Sequence, residues 1–169
     1  MIDSEAAAGG SPARQASSAS LGATAVGGLM EGQKKAGLPK VGLFACFSGG
    51  SNTGSLTGMA ALEVVKRLGR ETVGICSLPA ILNDVPRQSA MIESMEKLVV
   101  IDGCHNACAK ELLTKKGIVP DAYLNLADLH LIKQGPFSSL AFTEDEVKLV
   151  ADALVSTVEK CLSQSAGLK

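Results

Sequence analysis

The chain has 169 residues, and its 16 Lys+Arg against 17 Asp+Glu leave a net charge of −1, which excludes the broad basic surface of a dedicated nucleic-acid binder. One Tyr, four Phe and no Trp provide no aromatic platform for stacking bases, and no apolar run reaches the ~20 residues that cross a bilayer. At 46% hydrophobic and 20% charged, the composition predicts a soluble, folded chain of single-domain size, with neither nucleic acid nor membrane as partner.

Residues 1–38 are mostly Ala, Ser and Gly with scattered charges. Nothing there offsets the entropy of ordering, so a disordered N-terminal tail is expected. The stretch is Ser-rich and contains Arg14, as a transit peptide would, but Asp3, Glu5 and the scarcity of basic residues make organellar targeting the weaker reading. A single domain is expected over 39–165. Val41–Cys46 is a short apolar run closed by Ser48-Gly-Gly-Ser-Asn-Thr-Gly54, and Leu56–Leu68 has helical spacing with Gly69 as its stop. Glu63 and Arg67 are spaced as an i,i+4 pair on that helix. Thr72–Cys76 reads as a second strand, and Asp84 with Pro86 as the start of a helix to about Met95. Asn83 and Asp84 could each be a helix cap, an orienting acceptor or a base. Leu98–Asp102 is the clearest strand, followed by a helix from Asn106 to Lys116 with Gly117 behind it. Ala122–Leu126 is a fourth strand, and 127–140 carries no clear pattern. Thr143 and Glu146 form a capping box, stapled by Phe142 and Val147, for a last helix from Glu144 to about Ser163.

Strands and helices alternate, and the connections are too long for hairpins. The class is therefore α/β: a mostly parallel sheet of about four or more strands with helices on both faces.

Five cysteines are an odd count in a domain large enough to fold without disulfides, so a reducing compartment, the cytoplasm by default, is expected. Cys46, Cys76 and Cys104 lie at or just beyond predicted strand ends, and Cys108 is one helical turn past Cys104. In a parallel sheet these four thiols share the carboxyl edge, where open α/β folds bind ligands. Four thiols in one crevice are a ligand set for tetrahedral Zn²⁺, one ion per chain. A helix start at Cys108, with Cys104 just before it, is expected to favour thiolates, and the helices behind Cys46 and Cys76 to offset the negative charge that four thiolates leave on the ion. No paired C-x2-C knuckle is present, so the pattern is not a zinc ribbon or finger. Buried core thiols are the bland alternative, and they suit Cys161, which continues the stripe Val147, Val150, Leu154, Val158.

The loop Ser48, Gly49, Gly50, Ser51, Asn52, Thr53, Gly54 has the composition to wrap a small anion with backbone amides. It is no Walker A loop and lacks G-x-G-x-x-G. Its plainer reading is a tight turn capped by Ser51, Asn52 or Ser55. His105 is a proton carrier, a substitute ligand or simply exposed, and His130 lies in the unplaced stretch. Asp102 is a base, an orienting acceptor or a helix cap.

The motifs Cys46-Phe-Ser-Gly-Gly-Ser-Asn-Thr-Gly54, Cys76-Ser-Leu-Pro-Ala80 and Ile101-Asp-Gly-Cys-His-Asn-Ala-Cys108 resemble, in this order, those of the DGC-domain family. The resemblance covers Val41 to Lys116 most strongly. It implies zinc held by Cys46, Cys76, Cys104 and Cys108, and names no reaction. Two other chemistries compete with zinc: a thiol or sulfur-transfer enzyme with Cys46 as nucleophile, and an Fe–S protein using the same four thiolates.

Overall fold

The structure is a computed structural model and describes residues 37–166. All but the last two residues of the expected tail lie outside that range. Four strands form one all-parallel sheet: β1 (Val41–Ala45), β2 (Val73–Ile75), β3 (Lys97–Asp102) and β4 (Ala122–Asn125), in the order β2-β1-β3-β4. The helices are α1 (Asn52–Leu68), α2 (Leu78–Leu82), α3 (Pro86–Glu93), α4 (Cys108–Lys115) and α5 (Glu144–Ala166), with a 3-10 turn at Leu126–Leu129. Among the described residues no helix is long and apolar enough to cross a membrane.

The central strands are covered on both faces, which explains why β1 is an unbroken apolar run buried at every position. Val41, Leu43 and Ala45 join Val99 and Ile101 against α1 and α5, through Leu56, Ala60, Val64, Val150, Leu154 and Val158. Phe44 and Val100 point the other way, onto Ile81, Ile92, Ala109 and Leu113 of α2, α3 and α4. Truncating the fully buried Phe44 to Ala would cost about 3–5 kcal/mol. Gly42 allows this second layer to close: a Cβ there would meet the Met95 sulfur at 2.5 Å and the Cys76 sulfur at 3.1 Å.

From β1 the chain crosses through α1 to the β2 edge, then returns through α2 and α3 to β3 on the other side of β1. The direction of winding therefore reverses between β1 and β3, and a reversal of this kind opens a ligand crevice at the carboxyl end of an open α/β sheet.

Several local expectations differ from the structure. α1 begins at Asn52, four residues before its apolar periodicity, because Ser51 caps it by accepting the Gly54 N–H at 3.2 Å. α2 carries too short a pattern to be legible, although Ser77 caps it. Asp84 does not cap α3; Val85 holds that position, and Asp84, at φ 52°, pairs with Lys116 at 2.7 Å instead. The Glu63–Arg67 pair forms at 2.9 Å. The capping box closes in both directions, with the Thr143 N–H donating to Glu146 at 2.7 Å and the Glu146 N–H donating to Thr143 at 3.2 Å.

Candidate functional site

Cys46 follows β1 directly, Cys76 follows β2 directly, Cys104 stands two residues beyond β3, and Cys108 opens α4. Since β2, β1 and β3 are neighbours, the first three cysteines end adjacent strands. Register then staggers them. The pairing Leu43↔Ile75 sets Cys76 beside Phe44, and Ala45↔Ile101 sets Cys46 beside Asp102. Along the strand direction Cys76 thus lies about two residues behind Cys46 and Cys104 about two ahead, some ~6–7 Å each way at the usual rise. The backbones gather at one edge while the sulfurs divide between two cavities. Among the described residues, no three His, Cys, Asp or Glu side chains converge as holding a metal ion would require.

Cys46 and Cys76 share an apolar cavity of about 510 Å³ between α1 and α2, walled by Phe47, Ala61, Leu62 and Ile75. The Cys76 sulfur turns toward Met95, 3.8 Å away. Burial pushes both thiols up to about 11. At Cys46 the nearby Asp102 and Cys108 add to that push, while the backbone N–H groups of Ser48 and Gly103 oppose it. At these two cysteines the loss of water outweighs the amides.

Cys104 lies on the other side. Its sulfur is 3.7 Å from the Lys133 ammonium, in a second cavity of about 410 Å³ that Gly103, His105, His130 and Ile132 also line. Two buried asparagines fix the walls. Asn125 donates to the Cys104 carbonyl at 2.9 Å. Asn52 donates to the Ile132 carbonyl at 3.1 Å and accepts the Gln134 N–H at 2.9 Å, so it grips the chain on both sides of Lys133. Lys133 and Asn125 were invisible as site residues in the sequence, where one sat in a patternless stretch and the other read as mid-strand. Cys108 is exposed at the head of α4.

The edge is conformationally unusual. Phe47, directly after Cys46, has φ 43°, Ala107, directly before Cys108, has φ 47°, and His130 has φ 59°. Left-handed backbone at non-glycine residues costs about 1–2 kcal/mol each and concentrates at functional sites. Gly103 is required for a different reason, since a Cβ there would meet the Thr53 carbonyl oxygen at 2.6 Å.

The loop Ser48–Gly54 is clasped to the 132–139 segment. Phe137 donates to the Gly50 carbonyl at 3.0 Å, the Asn52 N–H donates to Ser138 at 3.2 Å, and Ser139 donates to the Gly49 carbonyl. These bonds and the Ser51 cap occupy the Asn52 and Gly54 amides that a wrapped anion would use. Among the buried side-chain nitrogen and oxygen atoms of the described residues, only the Thr53 hydroxyl is left without a hydrogen-bond partner.

Of the three roles open to Asp102, the structure uses the cap. Its two oxygens accept the Ala109 N–H at 2.9 Å and the Lys110 N–H at 3.0 Å, supplying the helix start that Ala107 cannot cap. His105 and His130 are exposed at the rim of the Cys104 cavity. Cys161 is buried with Val150, Leu154 and Val158, as its stripe requires.

With this geometry in place, the comparison with family models is decisive: the DGC domain model matches residues 42–154, two thirds of the chain and all four strands. The chain belongs to the DGC-domain family. No curated protein and no solved structure matches it. The matched DGC region spans the four edge cysteines and stops short of Cys161.

Proposed function

We propose that this DGC domain binds zinc through Cys46, Cys76, Cys104 and Cys108. The observation that carries the reading is the placement of Cys76, Cys46 and Cys104 at the ends of three adjacent parallel strands, astride the winding reversal between β1 and β3. The donor set suits the ion, since four thiols match a closed tetrahedral site. The side chains need to turn: Cys76 away from Met95 and Cys104 away from Lys133. Thiols bind metal as thiolates, so loading releases protons, and the N–H groups of Ser48 and Gly103 are placed to support charge on Cys46. Bound zinc would supply fixed positive charge at the crevice. The chain's own residues hold the frame around it, with Asp102 anchoring α4 and Asn52 and Asn125 anchoring the opposite wall.

A metal-free reading with Cys46 as nucleophile is less well supported, because a thiol pushed to about 11 carries almost no thiolate at neutral pH. The test is metal analysis with thiol counting on protein purified without chelator. About one zinc per chain is expected, reduced sharply by Ser at any of Cys46, Cys76, Cys104 or Cys108 and retained in Cys161→Ser. A brown protein would assign the same thiolates to an iron–sulfur cluster. Metal-free protein with all five thiols titratable would end the metal reading.

A further inference from the structure

The cavity beside Cys104 has a composition that zinc binding does not explain. Its walls hold a lysine, two histidines and a thiol, and no carboxylate. Among the described residues no Asp or Glu pairs with the Lys133 ammonium, although six other ion pairs form in the domain. An ammonium has three donors, and a neutral thiol sulfur satisfies one of them weakly. The backbone that carries it is fixed. Asn52, 4% exposed, bonds the residues on both sides of Lys133, and Asn125, 6% exposed, bonds the carbonyl of Cys104. Two buried amide side chains thus hold the backbone that carries the exposed Lys133 and the backbone of Cys104, and both residues line one cleft of about 410 Å³, within the size range of small-molecule sites. Ala127, Leu131 and Ile132 complete the wall with apolar surface.

We propose that this cleft binds a small anion, a carboxylate or oxyanion with a short apolar body, held by Lys133 beside the Cys104 sulfur. Lys133 is the binding group and Asn52 the positioning residue. The binding group is Lys133 whether or not zinc is held, and Cys104 lies beside the anion when its sulfur is not turned toward a metal. The site lies on the 132–139 segment that the clasp holds, not in the Ser48–Gly54 loop, where the Asn52 and Gly54 amides are already engaged.

Charge-selective alkylation tests this. Iodoacetate and iodoacetamide differ chiefly in charge. With either one, the Cys104 sulfur attacks the methylene carbon, the C–S bond forms as the C–I bond breaks, iodide leaves and the thiol proton passes to buffer. Rates at Cys104 and at the exposed Cys108 are read by fragment mass spectrometry of the full-length chain at one pH, first without and then with chelator. The iodoacetate-to-iodoacetamide ratio at Cys104 is expected to exceed that at Cys108 by about tenfold, the low end of electrostatic steering. Lys133→Gln should bring the two ratios together, Lys133→Arg should keep most of the preference, and Asn52→Ala should lower it. Equal ratios at the two cysteines, or a ratio unmoved by Lys133→Gln, would overturn the proposal. So would a Cys104 that resists both reagents after chelation, because a cleft open to an anion is open to them. Protection that chelator removes reports on zinc alone, so the two proposals fail separately.

Discussion

Cys46 with Cys76, and Cys104 with Lys133, occupy the same edge of one sheet and have opposite surroundings. The first pair sits in an apolar cavity between α1 and α2, where burial holds the thiols protonated. Cys104 sits in a cleft that also holds two histidines, with its sulfur facing an ammonium. The difference arises from register and from side-chain direction. Cys76 is level with Phe44, deep on the second face of the sheet, whereas Cys104 is carried past the edge by the turn after Asp102. One sheet edge can therefore offer a soft apolar pocket and a charged one within a few residues of each other.

The largest expected effect comes from the residue that stands between these two regions. Asp102→Ala removes both caps of α4 and strands two helix amides, so a loss of about 2–4 kcal/mol is expected in urea unfolding. Asp102→Asn should recover part of it. If the alanine variant instead kept full stability, the carboxylate would be serving something other than the helix.

The contrast in burial predicts a contrast in tolerance. In metal-free protein, Cys76→Ser should cost about 1–3 kcal/mol, because its hydroxyl would replace a sulfur packed on Met95. Cys104→Ser, at the partly exposed rim, should cost about 0.5 kcal/mol or less. Equal losses would mean that the two cavities are not distinct environments.

A pH series sharpens the same distinction. An ordinary thiol titrates near 9, and Cys46 and Cys76 do so near 11 in the folded chain. Between those values the unfolded chain has given up protons that the folded chain keeps, so unfolding gains from rising pH. Stability from this source is complete below about pH 9 and is lost as the pH climbs through about 11. Denaturant midpoints of metal-free protein at about pH 8 and about pH 10.5 should therefore fall in that order, and the fall should shrink in Cys76→Ala. A pH-independent midpoint would show both thiols to be in contact with water.

The smallest effect is a gain. Ala107→Gly relieves the left-handed backbone at the head of α4 and should raise stability by about 0.5–1 kcal/mol, measurable in the same urea titration.

Much of the architecture was legible in the chain itself. The unbroken apolar runs at Val41–Ala45 and Leu98–Ile101 identify strands buried on both faces, and the spacing of Val147, Val150, Leu154 and Val158 places Cys161 in the core. These signals are local: burial on two faces or one stripe is written in consecutive residues, and the Thr143–Glu146 capping box is complete within four. The candidate cysteines were legible for the same reason, since each follows a strand that the sequence marks.

Tertiary structure alone decided how those cysteines relate. Strand order made β2, β1 and β3 neighbours, and register displaced Cys76 and Cys104 to opposite sides of Cys46. Both depend on pairings between distant residues, Val41 with Val73 and Val41 with Lys97, which no local pattern encodes. The same holds for the cap that Asp102 provides, which depends on where α4 lands. It holds most strongly for Lys133. Its segment has no periodicity, and it is held by Asn52 across 80 residues of chain, so only the folded molecule brings its charge to the sulfur of Cys104.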